Sequence, residues 1–176
     1  MAARVLRIGF HWITVLLVTA AFAIAFYRNG LDDPDQRLFW LDSHRTIGLT
    51  VLALTLARLI VRLFWKVESA MEGTPLLKLV SNASHSALYI LLLAMPLLGW
   101  AQSSAKMRKL RLFDHAFPRL IARNPDLGDL LGQWHETLAW AMLALIGLHS
   151  LAALYHHFVR RDHVLLDMLR VHPDQR

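Results

Sequence analysis

Long apolar stretches separated by polar connections dominate the pattern along this chain. Four stretches, at about residues 8–27, 46–64, 84–101 and 138–159, are each close to the roughly 20 helical residues that cross a bilayer core about 30 Å thick. None of them contains Asp or Glu, and the acidic residues lie in the connections, in the tail or at a helix mouth, as Glu136 does. The pattern predicts an all-α integral membrane protein, a four-transmembrane-helix bundle formed as one domain over residues 1–176.

The composition supports this class and excludes several others. Of 176 residues, 56% are hydrophobic and 18% are charged, and there is no cysteine. Disulfides, thiolate metal sites and covalent c-type haem are therefore excluded. The net charge of +6 comes from basic residues around the predicted spans, and without a binding motif we expect no nucleic-acid partner. We expect the first span to be retained, because cleavage as a signal peptide would remove His11.

The distribution of basic residues predicts an orientation. Arg4 and Arg7 flank the first span and the pair Arg160-Arg161 follows the fourth, so we expect both termini to be cytoplasmic. The connection 102–133 then faces outward and starts with a basic run at residues 106–111. This run is interpreted either as a surface that contacts lipid phosphate or as a positive field that concentrates a small anion. From Pro125 onward, leucines at helical spacing predict a short amphipathic helix leading into the fourth span.

Four histidines lie within these stretches or at their mouths, where an unpaired imidazole is costly. On the fourth helix, His135 and His149 are about 21 Å apart and nearly four whole turns apart, so they share a face. The antiparallel order of the spans places His44 at the same end of the bundle as His135, and His11 at the same end as His149. We predict that each pair supplies the axial ligands of one non-covalent haem iron. Gly48, on the face of His44, leaves room for a flat porphyrin.

Two further histidines leave alternatives open at the cytoplasmic end. His156 follows His149 by seven residues on the same face and could replace it as a ligand, although an interfacial histidine is commonly solvated. His85, at the mouth of the third span, is interpreted as a hydrogen-bonded helix-start residue or as a contact to the cofactor or a quinone. The sequence does not decide between these roles.

Arginines near the predicted ligands are candidates for cofactor binding. Arg58 lies inside the second span and needs a partner there, unless its side chain extends to the interface. That partner is predicted to be a haem propionate or a quinone oxygen. Arg7, one turn before His11, and Arg45, next to His44, are further propionate candidates. No catalytic residue is predicted.

Short motifs at the helix mouths resemble the bacterial cytochrome b561 family. They are His11-Trp12, Asp42-Ser43-His44 with Gly48, the run 134–139 (Trp-His-Glu-Thr-Leu-Ala), the run 147–149 (Gly-Leu-His) and the run 155–158 (Tyr-His-His-Phe). The resemblance covers almost the whole chain. It implies two b-type haems held by His11, His44, His135 and His149.

The same resemblance implies a function. Family members carry electrons across the bacterial inner membrane, and members of this size are expected to oxidise superoxide outside and reduce ubiquinone. One alternative is an electron-transfer subunit for a hydrogenase, dehydrogenase or other redox partner protein. Another is a transporter or structural bundle that binds zinc, nickel or copper, although spans without carboxylates argue against a cation pathway.

Overall fold

Four long helices account for most of the computed structural model, which describes residues 2–64, 74–108, 110–112 and 115–169. They are α1 (Ala2–Asn29), α2 (Pro34–Phe64), α3 (Pro75–Ala105) and α4 (Pro125–Tyr155). A π-helical turn, His156–Arg160, continues α4, and a short helix α5 (Leu166–Leu169) follows. Between α3 and α4, β1 (Arg111–Leu112) pairs antiparallel with β2 (His115–Ala116). The predicted four-helix membrane fold is confirmed, with four helices long and apolar enough to span a bilayer.

The helices are longer than the spans that hydropathy predicted. The second begins at Pro34 rather than near residue 46, the third at Pro75 rather than 84, and the fourth at Pro125 rather than 138. Caps set these starts: Thr74 accepts from Leu77 N at 3.4 Å, and Asn124 accepts from Leu127 N at 3.0 Å. The predicted short helix at Pro125 is the first part of α4, so the connection predicted at 102–133 is shorter. Polar residues continue these helices beyond the hydrocarbon.

Neighbouring helices pack in chain order, α1 on α2, α2 on α3 and α3 on α4. The core lies midway along the bundle, where Val51, Leu92 and Met142 are buried against one another. Most other apolar side chains face outward, among them Leu16 and Leu148 at 69% and 64% exposed. An apolar exterior is what a bundle surrounded by lipid requires.

The connection between α3 and α4 folds back onto the end of α3. Trp100 Nε1 donates to the Pro118 carbonyl at 2.9 Å, and Leu120 N donates to Ser104 Oγ at 3.0 Å. Asn124 N donates to the Ala105 carbonyl at 3.1 Å. These bonds fix the segment that covers this end of the bundle.

The C-terminal segment is attached to α1 at the opposite end. Arg161 adopts a left-handed conformation, with φ of 54°, and ends the π-helical turn. The chain then reverses, and Trp12 Nε1 donates to the Met168 carbonyl at 2.7 Å. This bond links the first and last described helices.

Two glycines of α4 provide a matched test of the α3–α4 contact. A Cβ at Gly128 would lie 2.8 Å from Lys106 Cγ and 3.3 Å from Ala105 Cβ, whereas one at Gly147 has no neighbour within 4 Å. We expect Gly128→Ala to lower the thermal stability in detergent, because overpacking costs about 1–3 kcal/mol. Gly147→Ala should be neutral or stabilising, because alanine favours helix by up to about 1 kcal/mol. Equal melting temperatures for the two variants would contradict this packing.

Candidate functional site

Two pairs of histidine rings face each other across the bundle, one near each end. The ring centroids of His44 and His135 are 6.2 Å apart, and those of His11 and His149 are 6.4 Å apart. At 1.5 Å per residue, the two pairs are separated by about 21 Å along α4. The structure thus brings together the residues that the sequence paired.

The ring separations suit one metal ion between each pair. With metal–nitrogen bonds of about 2.0–2.1 Å, two imidazoles on opposite sides of a metal have centroids about 6.3 Å apart. Among the residues that the structure describes, no group of three or more His, Cys, Asp or Glu side chains is arranged to hold a metal. Two protein ligands per site fit a metal whose remaining positions are filled by a macrocycle, and they fit poorly with a zinc, nickel or copper site built by protein alone.

Hydrogen bonding fixes the orientation of His44. Its Nδ1 lies 3.0 Å from the Ala21 carbonyl of α1, and because a carbonyl only accepts, this nitrogen carries the proton. The lone pair is therefore on Nε2, the nitrogen that would bind a metal. A backbone partner of this kind holds a ligating ring in position.

The ring of His135 rests on the backbone of α3. A Cβ at Gly99 would lie 3.4 Å from its Cε1, and the Met95 carbonyl is nearby. Its Nδ1 is buried and has no partner at hydrogen-bond geometry within the described part of the chain. At half-buried Gly48, an added Cβ would have no heavy atom within 4 Å. The Nδ1 edge of the His135 ring thus faces the α3 backbone, which leaves Nε2 as the nitrogen that would bind a metal. With the His44 ring held by Ala21, this arrangement fits a prosthetic group held between the two imidazoles.

The other end contains a third ring. His85 lies 5.2 Å from His149 between ring centroids, which is shorter than two ligands on opposite sides of a metal require. Its Nδ1 donates to the Ser81 carbonyl at 2.8 Å. His85 is thus placed as a hydrogen-bonded neighbour of His149. Because α3 begins at Pro75, His85 lies ten residues inside the helix, and the interpretation of it as a helix-start residue is wrong.

His156, the alternative ligand, has a different partner in the structure. It is 9% exposed, and its Nδ1 donates to Asp162 Oδ2 at 2.5 Å. Partial burial acts to raise the pKa of the Asp162 carboxyl, but hydrogen bonds from His156 and Val164 N, with the charge of Arg160, bring that pKa below its usual value. This contact closes the π-helical turn, and His149 is the α4 histidine that faces His11.

Arginines surround both histidine pairs. Arg58 lies over the Tyr89 ring at 5.2 Å, as Arg62 does at 5.5 Å, so the cation inside the second span has an aromatic partner. Arg45 is 9% exposed in its side chain and binds Asp42 at 2.7 Å. Arg7 lies one turn before His11, and its Nε is buried without a partner among the described residues.

Arg28 is a candidate that the sequence analysis missed. It lies in the last turn of α1, and its Nε is also buried with no partner in the described part of the chain. In the sequence it looks like an ordinary basic residue at a membrane interface, where such side chains are common. Its burial depends on how α1 packs against the other helices, and the sequence pattern does not report that packing.

The basic connection forms an open cavity at the His44–His135 end. Its volume is about 530 Å³, and its lining is Ala105, Lys106, Met107, Arg108, Arg123 and Pro125. Lys106 binds Asp129 at 2.5 Å, while Arg108 and Arg123 form no salt bridge with any described residue. Of the basic run 106–111, Lys109 lies outside the described residues.

Comparison with known proteins places this architecture in a family. The family described as prokaryotic cytochrome b561 matches residues 3–170. A probable superoxide oxidase CybB from Yersinia pestis is 31% identical over 166 residues, covering 93% of each chain. Cytochrome b561 homolog 2 from Escherichia coli (strain K12) is 30% identical over 175 residues, covering 94% of this chain and 89% of its own.

Membership of this family implies haem b and membrane electron transfer, in agreement with paired imidazoles in a four-helix bundle. This chain belongs to the prokaryotic cytochrome b561 family.

Proposed function

We propose that this protein is a di-haem superoxide:ubiquinone oxidoreductase of the bacterial inner membrane. The observation that carries the proposal is the pair of facing imidazole rings at each end of the bundle, at 6.2 and 6.4 Å. Similarity to a probable superoxide oxidase supports the choice of donor. Both termini are proposed to be cytoplasmic, so the His44–His135 end faces outward.

Each histidine has a defined part in this proposal. His44 and His135 would hold the outer haem, and His11 and His149 would hold the inner haem. Haem b supplies a one-electron redox centre when bound. The Ala21 carbonyl holds the His44 ring with Nε2 toward His135. The apolar cluster of Val51, Leu92 and Met142 lies between the two sites and excludes water.

The overall reaction balances as two one-electron oxidations and one two-electron reduction. Two superoxide anions lose one electron each and leave as dioxygen. Ubiquinone accepts both electrons with two protons and becomes ubiquinol. The two sites need not be in contact, because electrons alone pass between the ends of the bundle.

The basic cavity is proposed to favour the anionic donor. Arg108 and Arg123 line it at the outer end, on a protein with net charge +6. A positive field raises the local concentration of a small anion and its rate of encounter. Contact of the same surface with lipid phosphate is compatible with this role.

The inner end offers polar groups for a quinone. Arg58 and His85 lie close to the His11–His149 pair, and Arg58 is held over the Tyr89 ring. A guanidinium and an imidazole are suitable donors to quinone oxygens. We propose these two side chains as quinone contacts.

Exposure to superoxide tests the donor directly. We expect an oxidised, purified sample to develop the absorbance of reduced b-type haem when an enzymatic superoxide source is added, and superoxide dismutase to abolish the change. Added ubiquinone should reoxidise the protein. A haem that dithionite reduces but superoxide does not would favour the alternative, an electron-transfer subunit for a partner enzyme. A preparation without haem would overturn the histidine pairing.

Alanine variants on α4 test the ligand assignment. We expect His149→Ala to lose one of two haems per chain, because His11 alone would remain at that site. His156→Ala should retain both haems, since the His156 side chain contacts Asp162. Haem content relative to protein is measured by the pyridine haemochrome assay. Loss of haem from His156→Ala with retention in His149→Ala would reverse the assignment.

Charge removal tests the proposed attraction of superoxide. The double variant Arg108→Gln/Arg123→Gln should slow haem reduction by superoxide roughly threefold to tenfold at low ionic strength, and the difference should shrink in high salt. The matched control is Lys78→Gln/Arg160→Gln, which removes two charges at the opposite end of the bundle. Equal slowing in both double variants would show that net charge, rather than the cavity, is responsible.

A further inference from the structure

A buried nitrogen without a hydrogen-bond partner marks a place where the folded chain itself supplies no acceptor. Among the described residues, three buried side-chain nitrogens have no hydrogen-bond partner: Arg7 Nε, Arg28 Nε and His135 Nδ1. Two of the three are guanidinium nitrogens, and both belong to α1. Burying part of a charged group without a partner is unfavourable. An anion that is part of the functional protein would remove this cost.

The two arginines flank the two proposed haem sites. Arg7 is one turn from His11. Arg28 is nearly two turns beyond Ala21, whose carbonyl accepts from His44. Along α1 the two arginines are about 32 Å apart, close to the thickness of a bilayer core, about 30 Å. One helix therefore places a buried guanidinium on the membrane-surface side of each histidine pair.

At the His44–His135 end, the surroundings of Arg28 are strongly positive. Arg37, Arg45 and Arg108 all lie within electrostatic range of it. Among the described residues, the one salt bridge that these arginines make joins Arg45 to Asp42. The remaining guanidinium groups have no carboxylate partner there. The cluster can therefore accept two negative charges without creating a new imbalance.

We propose that Arg28, together with Arg45, binds the propionates of the haem held by His44 and His135. This inference rests on the proposed di-haem function. A propionate is a carboxylate, and guanidinium groups bind carboxylates through paired, charge-assisted hydrogen bonds. Arg28 Nη2 donates to Asn29 Oδ1 at 3.3 Å, so the part of the guanidinium that lacks an acceptor is Nε, which is buried inside the protein. Arg7, whose Nε is also buried without a partner among the described residues, would be the corresponding residue for the other haem.

The test compares Arg28→Gln with Arg37→Gln, an exposed arginine of the same cluster. Haem content, the two midpoint potentials and the rate of haem transfer to an external haem-binding protein are measured for each. The His44→Ala variant identifies the spectral and redox component of the His44–His135 end. Loss of a cation beside a propionate destabilises the reduced haem more than the oxidised haem, because reduction adds a negative charge.

We therefore expect Arg28→Gln to lower the midpoint potential of that component alone and to speed its haem loss by about tenfold or more, as loss of a charge-assisted hydrogen bond implies. Arg28→Lys should restore much of the potential, because it keeps the charge, but not the slow release, because it lacks the planar fork. Arg37→Gln should change neither quantity appreciably.

Equal potentials and release rates in Arg28→Gln and Arg37→Gln would overturn the inference. An effect on both haems alike would also overturn it, since that would indicate a general loss of structure. If Arg28→Gln fails to fold, the comparison of Arg28→Lys with Arg37→Lys decides, because faster haem release in the former is required. The proposed function is tested separately on the unaltered protein: fewer than two haems per chain would refute the di-haem assignment, and haems that superoxide does not reduce would refute the proposed donor, whereas neither result depends on Arg28.

Discussion

The pairing of imidazoles inside a bundle surrounded by lipid is the constraint on which the rest of this structure depends. An imidazole at this depth cannot be satisfied by water, so each ring needs a partner for both of its nitrogens. For His44, the Ala21 carbonyl takes the Nδ1 proton and leaves Nε2 directed at His135. This requirement fixes the rotation of α2 against α1. The helices must also leave space between the facing rings, and centroid separations of 6.2 and 6.4 Å leave room for one metal ion in each pair.

Much of this arrangement follows from helical periodicity. The spacing of His135 and His149 places both on one face, and the antiparallel order of the helices then assigns His44 and His11 to opposite ends. The fold class is confirmed on this basis. The structure brings the predicted rings together, while ligation of haem by them stays a prediction. Periodicity succeeds here because helices crossing a membrane have few alternatives in direction and register.

Other features could not be obtained from the sequence, for separate physical reasons. Helix starts were placed too late because hydropathy reports the hydrocarbon boundary, whereas Pro34, Thr74 and Asn124 determine where the helices begin. The partner of His156 depends on a π-helical turn and a left-handed Arg161. Such a local reversal has no periodic signature, so the contact with Asp162 was not predictable from spacing.

The distribution of charge complements the distribution of imidazoles. Guanidinium groups gather around each histidine pair, whereas the middle of the bundle is built mainly from apolar side chains packed around Val51, Leu92 and Met142. A cation close to a redox centre stabilises its reduced state, so under the proposed di-haem function the arginines at each end would favour acceptance of electrons there.

The apolar middle also separates electron movement from proton movement. The buried threonines of this part of the described chain, Thr14 and Thr55, each donate to a carbonyl of their own helix, at 2.6 and 2.7 Å. They therefore form no chain of hydrogen bonds between the two ends along which a proton could move. Electrons, by contrast, need no such chain. Under the proposed function, the two protons taken up by each ubiquinone would enter from the membrane face nearest the quinone. With the quinone beside Arg58 and His85, at the His11–His149 end, its reduction would consume protons on the inner side while superoxide is oxidised on the outer side, so turnover would separate charge across the membrane.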